Sequence, residues 1–329
     1  MKVRTRTRSF LWFTDPWEWM YHPLDTTMRL AQESSLLGHG NYWASVKTLR
    51  LENGKILADV HPLELAPDDP DARGGPMKRG KSTPLTPAAF DCIQWRMDPP
   101  VDHTYYHPLQ ILLLGIQGSR RKPEIVNPPE ALCFANEKME PALLGDFMPA
   151  SVVSSQWQPL SEFGLKEGRT VLKPLDWCQS KGIELLDWRT AEMQAASKAL
   201  LEKSTDQFKR PVLLQRYLPG IQQGERRLWF ADGKPIAHML KFPVQGDFRV
   251  NTDRGSRMEL APLTKKEQRV IPAIARRLRA RKIRLAAVDL IEAKVSDYNF
   301  TSPGLIPQME NLTGENLARK IMKALSKAT

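Results

Sequence analysis

One stretch near the C-terminus limits the folds open to this chain more than any other. Residues 285–303 read LAAVDLIEAKVSDYNFTSP: an apolar run broken by Asp289, a short turn, and a second run that carries Asp297 and Asn299. Strand side chains alternate between two faces, so Asp297 and Asn299 point the same way. If the runs pair as a hairpin, three oxygen-bearing side chains meet, and such ligands suit Mg²⁺. The pattern also fits a strand with one buried, hydrogen-bonded Asp and a polar hairpin end.

Length and composition exclude several classes of protein. With 329 residues the chain can form two or three domains, and 41% hydrophobic with 26% charged residues is ordinary for a globular protein. No apolar run approaches the roughly 20 residues that span a bilayer, and the apolar part of the N-terminus is too short for a signal peptide. Cys92, Cys133 and Cys178 are widely spaced, which suggests neither a disulfide framework nor a zinc site. We therefore expect no membrane partner and a location in the cytoplasm.

The net charge of +11 permits an anionic partner, and much of the charge lies in residues 265–284, KKEQRVIPAIARRLRARKIR. Thr264 and Glu267 have the spacing of a capping box, which predicts that a helix begins here. Its apolar stripe should face the core, and its basic residues should form a solvated surface. Because no helix-turn-helix, zinc-finger or RNA-recognition pattern accompanies it, nucleic acid is not an expected partner.

The first 124 residues alternate strands with helices, which predicts an α/β layer with a largely parallel sheet. Strands are expected at 9–13, 42–46 and 90–96, a hairpin over 49–60, and helices at 26–37 and 105–116. Residues 66–86 are rich in Pro, Gly and charge and should form a surface loop. A basic, Pro-containing connector at 120–129 marks the expected domain boundary.

After this connector the pattern changes to strands and hairpins, which predicts an antiparallel α+β unit. Strands are expected at 150–154, 170–174, 212–217 and 226–230, the last turning at Asp232-Gly233, followed by the pair within 285–300. Helices are expected near 190–203, in the basic segment, and at 315–325, where Leu317, Ile321 and Leu325 should pack inward.

Several short segments occur in the order, and at nearly the spacing, of one known family. They are Asp15-Pro16, Asp25-Thr26-Thr27, Arg96-Met97-Asp98-Pro99-Pro100, Asn127-Pro128-Pro129, Asn136-Glu137-Lys138, Lys173-Pro174-Leu175-Asp176, Gln215-Arg216-Tyr217-Leu218-Pro219, Gly224-Glu225-Arg226-Arg227, Ala261-Pro262-Leu263-Thr264, Val288-Asp289-Leu290-Ile291 and Asn299-Phe300-Thr301-Ser302-Pro303. A single segment would be weak support. Together they cover roughly residues 9–303, and the chain resembles the bacterial type of glutathione synthetase, a member of the ATP-grasp superfamily.

The resemblance implies a fold and a reaction. The fold would be an ATP-grasp fold, α/β and α+β, with a pre-ATP-grasp α/β domain at residues 1–124 and an ATP-grasp domain at 125–329, whose lobes are about 125–213 and 214–329. The reaction would be ATP-dependent joining of a carboxylate to an amine through an acyl phosphate. The implied cofactors are ATP and Mg²⁺, with Mn²⁺ as an alternative metal, and the partners are small acid and amine substrates, with a homo-oligomer also compatible.

The resemblance also carries roles onto particular residues. It places Lys138 and Lys173 on the ATP phosphates, the hinge residues Gln215, Tyr217 and Leu218 around adenine, Asp289, Asp297 and Asn299 on metal and phosphate, and Arg227 and Arg249 in catalysis. Arg249 lies in residues 242–257, which match a loop that closes over the reacting centre and keeps water from an acyl phosphate. Without the resemblance, the lysines and Arg227 would read as ordinary surface charges, and Tyr217 and Leu218 as core residues.

The chain departs from the family at several positions. Asp297 stands where the family usually has Glu, and one methylene less means that a metal must shift, gain a bridging water or be held less tightly. The family's glycine-rich segment is here Trp177, Cys178, Gln179, Ser180 and Lys181, with Gly182 retained. Either the loop takes another path, with Lys181 or Ser180 in contact with phosphate, or ATP binding is weakened. Cys178 has no neighbouring base in the sequence and is not read as a nucleophile.

Substrate-facing segments also differ, at Met97 and at residues 304–308. Trp17, Trp19, Tyr21 and His22 could line a pocket for a larger acyl substrate, or pack between domains. Three functions remain open from sequence: a glutathione synthetase-like ligase, a non-catalytic nucleotide-binding regulator that kept the fold, and a ligase that adds amino acids to a protein or peptide.

Overall fold

Three β-sheets organise the chain. The computed structural model describes residues 7–20, 24–65, 77–251 and 255–327. Within these ranges no helix combines the length and apolar character that crossing a membrane requires. One sheet belongs to the N-terminal part, and the other two face each other across a cleft in the C-terminal part.

The N-terminal sheet has eight strands. They are β1 (Ser9–Thr14), β2 (Gly40–Ser45), β3 (Arg50–Glu52), β4 (Lys55–Leu65), β5 (Met77–Arg79), β6 (Thr83–Leu85), β7 (Cys92–Trp95) and β8 (Glu124–Val126). The main path runs β3-β4-β2-β1-β7-β8, with β5 and β6 paired to β4. Strands β2, β1, β7 and β8 are parallel, whereas β4 is antiparallel to each of its partners. The prediction of a largely parallel sheet is therefore wrong for the half built on β4.

The segment 66–86 is not wholly a loop. Residues 66–76 lie outside the described part, but β5 and β6 both pair with the long strand β4. Pro84 is tolerated in β6 because a short strand that borders only one partner leaves its missing N–H facing outward. Composition alone suggested a loop, and the long partner strand overrides that suggestion.

Helices α1 (Thr26–Leu36), α2 (His103–Gln117) and α3 (Pro129–Phe134) pack on this part. Asp25 caps α1 by accepting a hydrogen bond from the backbone N–H of Met28 at 2.9 Å. Asp102 caps α2 in the same way, accepting from the N–H of Thr104 at 2.8 Å. These caps fix where the chain turns into each helix after the carboxyl ends of the parallel strands.

The first sheet of the C-terminal part defines a small lobe, residues 151–216. Its strands are β9 (Ser151–Ser154), β10 (Arg169–Pro174), β11 (Glu184–Asp187) and β12 (Val212–Arg216), in the order β11-β10-β12-β9, all antiparallel. Helices α4 (Trp157–Glu167) and α5 (Ala191–Ser204) pack against it. Strands β9, β10 and β12 and helix α5 lie close to the predicted positions, whereas α4 and β11 were not predicted.

The second sheet defines a large lobe. Its strands are β13 (Glu225–Ala231), β14 (Lys234–Phe242), β15 (Arg257–Glu259), β16 (Leu285–Ile291) and β17 (Lys294–Asn299), in the antiparallel order β15-β14-β13-β16-β17. Two tight turns, at Asp232-Gly233 and Glu292-Ala293, join neighbouring strands. Both central residues of each turn have positive φ, the geometry that suits the twist of a two-residue hairpin.

Helices α6 (Lys265–Ala280), α7 (Ile306–Thr313) and α8 (Leu317–Leu325) complete the fold. The capping box of α6 is confirmed, because the side chains of Thr264 and Glu267 each accept from the other's backbone N–H. Its basic face is less solvated than predicted, because Arg277 and Arg281 form ion pairs with Glu140 at 2.8 and 2.6 Å. The prediction for α8 is confirmed, since its three inward leucine and isoleucine side chains are fully buried.

The apolar interior divides into three clusters. Two of them combine side chains of the N-terminal sheet with side chains of the large lobe, as Phe13 with Phe230 and Trp12 with Trp229. The third contains residues of the small lobe alone, among them Leu172, Trp188 and Leu214. The N-terminal part and the large lobe therefore share a core, whereas the small lobe has a core of its own.

A buried ion network ties the C-terminal helices to α1. The guanidinium of Arg29 lies 2.7 Å from Glu310 of α7 and 3.2 Å from Glu33, and both carboxylates are fully buried. Arg319 of α8 reaches Glu33 at 2.6 Å. This network, with the shared clusters, fixes the large lobe against the N-terminal part.

Candidate active site

A cleft of about 990 Å³, including its open mouth, separates the two lobes. The residues that the sequence assigned to nucleotide, metal or catalysis all line it: Lys138, Lys173, Lys181, Gln215, Tyr217, Leu218, Arg227, Arg249, Asp289, Asp297 and Asn299. They come from both sheets, from the hinge after β12, from the loop after β10 and from the segment after β14. The fold therefore brings together residues that lie up to 161 positions apart, from Lys138 to Asn299.

The carboxylates of Asp289 and Asp297 lie opposite each other because β17 contains a bulge. Regular pairing from the Glu292-Ala293 turn would oppose Asp289 to Ser296 and put Asp297 on the other face. The register instead shifts by one residue next to Asp289, so that Asp289 pairs with Asp297. Asn299 then lies on the same face, and its amide donates to Asp289 Oδ2 at 3.0 Å.

Asp289 is held by two cations. Arg227, directly opposite on β13, donates to both carboxylate oxygens at 2.8 and 2.6 Å, and Lys241 Nζ lies 3.2 Å from Oδ1. Burial alone would raise the pKa of Asp289, but the charges of Arg227 and Lys241 outweigh burial and hold that pKa well below its ordinary value. The Asp289 carboxylate is thus fixed in its ionised form.

A second acid, Glu225, shares Lys241 with Asp289. Lys241 Nζ lies 2.6 Å from Glu225 Oε2, and the lysine is 4% exposed. Burial, with the neighbouring Asp289 charge, raises the pKa of Glu225 above its ordinary value. Among the described residues, the site therefore contains three acids and three cations in close contact, counting Lys173 with Asp297.

Sequence reasoning did not select Glu225 or Lys241. Regular pairing from the Asp232-Gly233 turn opposes Glu225 to Leu240, whose side chain is apolar. A second bulge, between Trp229 and Phe230, shifts the register so that Lys241 lies opposite Glu225. The sequence signal for this pair was the presence of opposite charges, Glu225 and Lys241, at the open ends of the β13–β14 hairpin.

The lysines Lys138 and Lys173 cross from one wall of the cleft to the other. Lys173, on β10 of the small lobe, donates to Asp297 Oδ2 at 2.9 Å and to the backbone carbonyl of Ser296 at 3.1 Å. Lys138 lies in the turn before a short 3₁₀ helix, not at the start of an α-helix, and its amine donates to the carbonyl of Trp177. Both side chains are buried at about 5–7% exposure.

The hinge end of the cleft is less polar. Gln215 is buried on β12 and its amide lies 3.4 Å from Ser151 Oγ. The ring of Tyr217 stacks under the guanidinium of Arg169 at 4.5 Å, and Leu218 begins the next 3₁₀ turn. Val171, which pairs with Gln215 across the sheet, also lines the cleft, and apolar side chains beside a buried amide suit a planar heterocycle.

The loop of residues 177–182, here called the 177–182 loop, touches the segment 242–251 that follows β14. Asn251 donates its amide to the carbonyl of Gln179 at 2.9 Å, and Ser180 Oγ lies 3.3 Å from the carbonyl of Val250. Gln179 and Ser180 have φ of 56° and 58°, so the loop adopts left-handed backbone despite lacking the family's glycines. Residues 252–254 lie outside the described part.

Cys178 is half-buried within this loop. Burial, with the nearby charges of Asp98 and Glu137, raises the pKa of its thiol to about 12. The thiol is therefore protonated at neutral pH, consistent with the sequence-based view that Cys178 is not a nucleophile.

The donor set around Asp289 fits a hard divalent cation. Mg²⁺ needs one or two carboxylates and completes its shell with water and substrate phosphate oxygens, and the two carboxylates and one amide here meet that need. In the described residues no group of three or more His, Cys, Asp and Glu side chains could hold a metal by itself. A metal at this place would thus depend on the amide oxygen of Asn299 and on non-protein ligands.

Two antiparallel lobes around a cleft that is lined by paired acids and by lysines and arginines form the arrangement of an ATP-grasp ligase. Solved structures share it over nearly the whole chain. D-cycloserine synthetase has a TM-score of 0.63 at 17% identity, covering 96% of this chain and 98% of its own. D-alanyl-alanine synthetase A from Vibrio cholerae has a TM-score of 0.57 at 14% identity, covering 98% and 99%.

The particular family follows from sequence comparison. Residues 9–133 match the N-terminal domain of prokaryotic glutathione synthetase, and residues 137–314 match its ATP-grasp domain. The glutathione synthetase of Parasynechococcus marenigrum is 30% identical over 315 residues, covering 96% of this chain and 98% of that protein. That of Prochlorococcus marinus is 34% identical over 245 residues, covering 74% and 77%. The chain belongs to the prokaryotic glutathione synthetase family, and it is an ATP-dependent ligase that joins a carboxylate to an amine.

Proposed function

We propose that the ligase works with Mg²⁺, activates its carboxylate substrate as an acyl phosphate, and transfers the acyl group to an amine. γ-Glutamylcysteine plus glycine, or a related amino acid or peptide pair, are the proposed substrates. The observation that carries the proposal is the ion pair between Lys173 of the small lobe and Asp297 of the large lobe, at 2.9 Å. A lysine proposed to bind phosphate and a carboxylate proposed to bind the metal are therefore in direct contact across the cleft.

Phosphoryl transfer depends mainly on position and on neutralised charge, and the cleft supplies both. Lys138, Lys173 and Arg227 would neutralise the phosphates and the developing charge, with Lys181 as a further contact. Asp289, Asp297 and Asn299 would hold the metal, which when bound supplies a Lewis acid for phosphate oxygens. Arg227 already occupies both oxygens of Asp289, so it would pass one contact to phosphate when a metal shares that carboxylate.

The segment 242–251 supports the acyl-phosphate step by keeping water out. Arg249 is braced by Asp247, whose Oδ1 accepts from its Nε and from its backbone N–H, both at 3.0 Å. The contacts of Asn251 and Val250 with the 177–182 loop close the cleft beside it. A braced Arg249 there would contact the substrate carboxylate or its phosphate.

The acid substrate would enter where the carboxyl ends of β1 and β7 approach the large lobe. Arg96 donates to the carbonyl of Pro303 at 2.8 Å, and the N–H of Asp98 donates to Asp15 at 2.9 Å. Trp17 packs edge-on against Trp43, whereas Trp19 is 67% exposed. Tyr21 and His22 lie outside the described part. Packing thus explains Trp17, and Trp19 stays a candidate contact for a larger acyl group.

Two other functions keep some support. Lys138 donates to the carbonyl of Trp177, so a lysine proposed to bind phosphate is already paired with the altered loop. Such a pairing would be tolerated in a non-catalytic nucleotide-binding regulator. A peptide-modifying ligase would match the fold of the ATP-grasp ligase PsnB, solved with its minimal precursor, with a TM-score of 0.61 at 15% identity. The pairing of Arg277 and Arg281 with Glu140 weakens the basic helix as its docking face.

Steady-state phosphate release tests these functions. Purified protein with MgATP should release phosphate only when both γ-glutamylcysteine, or another acid of a substrate panel, and an amine are present, and hydroxylamine should trap the activated acid. ATP binding without substrate-dependent ADP formation across the panel would instead support the regulator.

All three cysteines are free thiols, which supports the proposed location in a reducing cytoplasm.

Asp289→Asn tests the metal-binding role. We expect turnover to fall at least ~100-fold, because a neutral amide neither holds the metal nor orients Arg227. Asp232→Asn is the matched control, since it removes a carboxylate paired with Arg284 outside the cleft. Circular dichroism and urea unfolding should accompany both variants, because Arg227 loses a buried partner. Full activity in Asp289→Asn would remove this residue from the metal site.

A further inference from the structure

A second cleft borders the 177–182 loop. It measures about 840 Å³, including its open mouth, and Trp177 and Lys181 line both this cleft and the cleft between the lobes, here called the ATP cleft. The loop is therefore a wall shared by two clefts. The far side of the second cleft is formed by the end of α5 and the chain that leads into β12. Neither of these lining segments contributes to the ligase chemistry proposed above.

The second cleft carries an excess of positive charge. Lys181, Lys203 and Arg210 line it, and Asp176 is the one acid among its lining residues. All three cations are exposed, and in the described part of the chain none of them forms an ion pair. Each alone would be an ordinary solvated surface charge. Three of them around one concave surface create a potential that attracts anions.

A specific backbone turn places two of these cations together. Asp206, Gln207 and Phe208 have φ of 51°, 56° and 62°, so three successive non-glycine residues are left-handed. Such a run costs free energy and persists only where its surroundings hold it. The fully buried Thr205 holds it, because its hydroxyl accepts from the N–H of Phe208 at 2.8 Å and its carbonyl accepts from the N–H of Arg210 at 2.8 Å.

The consequence of the turn is that the chain reverses directly after α5. Lys203 in the last turn of the helix and Arg210 before β12 then line the same cleft. Phe208 packs against the core of the small lobe and anchors the turn. The second cleft is thus formed in part by a turn that is anchored in the core of the small lobe. Its apolar wall includes Trp177, which is 42% exposed.

From this geometry we infer that the second cleft binds a small polyanion, a ligand with two or more phosphate or carboxylate groups, at a site separate from the ATP cleft. The guanidinium of Arg210 offers paired donors to a tetrahedral or planar anion, and the two lysines add point charges. The ligand neutralises a surface that Asp176 alone does not balance. An anion here also contacts the loop that borders the ATP cleft.

Equilibrium binding of radiolabelled pyrophosphate tests the site, with citrate as a second arm that distinguishes a phosphate from a carboxylate ligand. The Lys203→Gln/Arg210→Gln variant should weaken binding of the better probe by about tenfold or more, since two of three cations are lost. Lys209→Gln is the matched control, because Lys209 adjoins Arg210 but pairs with Asp206 and does not line the cleft. Lys203→Arg, which keeps the charge and leaves the guanidinium of Arg210 in place, should bind as the native protein does.

The ATP cleft provides the internal comparison. Binding of Mg·AMP-PNP should be the same in the native protein and in Lys203→Gln/Arg210→Gln, because neither residue lines that cleft. Pyrophosphate that binds both proteins equally occupies the ATP cleft or a diffuse surface, and that result overturns the inference. Absence of binding by both probes at millimolar concentration overturns it as well. Neither outcome depends on ligase activity, so failure here is distinct from failure of the proposed reaction.

Discussion

Asp297 has one methylene less than the glutamate that the family usually carries at this position. Its carboxylate lies 2.9 Å from Lys173, and its side chain is 23% exposed, more than that of any other acid in the contact group around Asp289. The shorter side chain keeps the carboxylate close to its own strand. If Asp289 and Asp297 hold the metal, the shorter side chain of Asp297 would leave room for an additional water ligand.

Asp297→Glu should therefore restore a longer ligand and tighten the metal site. We expect the Mg²⁺ concentration for half-maximal activity to fall several-fold, with a smaller change in kcat. Titration of Mg²⁺ at saturating ATP measures the effect, and Asp297→Asn should shift it the opposite way. An unchanged Mg²⁺ dependence in both variants would mean that Asp297 does not ligate the metal.

Cys178 shows how burial controls a thiol beside a nucleotide site. Its pKa is raised from 9.0 to about 12, so its thiolate is lost as pH falls below that value. In a Cys133→Ser background, alkylation by iodoacetamide at pH 8 should be about 1,000-fold slower than for free cysteine and should rise about tenfold per pH unit. The urea-unfolded chain is the control and should react at the ordinary rate. Fast alkylation of the folded protein would contradict the burial of this thiol.

At the scale of elements, two β-bulges determine the chemistry of the large lobe. Ser296 in β17, and Ile236 in β14 opposite the 229–230 step of β13, each shift a hairpin register by one. Without them, Asp297 would face away from Asp289 and Lys241 away from Glu225. The alternation of strand side chains could be read from the sequence, as could both tight turns. The bulges could not, because a bulge depends on packing across the sheet and has no fixed residue pattern.

Other elements show the same limit. The capping box of α6 and the inward face of α8 were predictable because caps and helical periodicity are local signals. Strands β5 and β6 were not, because three-residue strands form only where β4 offers unpaired backbone groups. The cleft residues came from matched segments, whereas Lys241 and Glu225 needed the three-dimensional register.

The contact between the 177–182 loop and the segment after β14 is the element that should exclude water. Asn251→Ala removes the hydrogen bond to the carbonyl of Gln179, so we expect several-fold more ATP hydrolysed per bond formed. Coupled measurement of phosphate and ligation product checks this ratio. Val244→Ala, which truncates an exposed side chain of the same segment, is the control and should stay coupled. An unchanged ratio in Asn251→Ala would show that this hydrogen bond does not hold the closed form.

At the scale of the whole molecule, the ion network around Arg29 connects the two ends of the chain. Glu310→Gln should lower the free energy of unfolding by about 2 kcal/mol, because a buried arginine loses one of its two carboxylate partners. Activity per folded molecule should not change. Glu315→Gln is the matched control, since its pair with Lys320 is about half exposed and should contribute less than ~1 kcal/mol. Equal urea midpoints for the two variants would contradict this role.

The separate interior of the small lobe also affects how fast the protein can release a bound nucleotide. Side chains such as Leu172, Trp188 and Leu214 pack within the small lobe itself, so they would stay buried whether the two lobes are open or closed. An outward rotation of the small lobe would break charged and polar contacts such as that of Lys173 with Asp297, and it would expose little apolar surface to water. Opening should therefore cost little hydrophobic free energy, so that the strength of these charged contacts should govern product release.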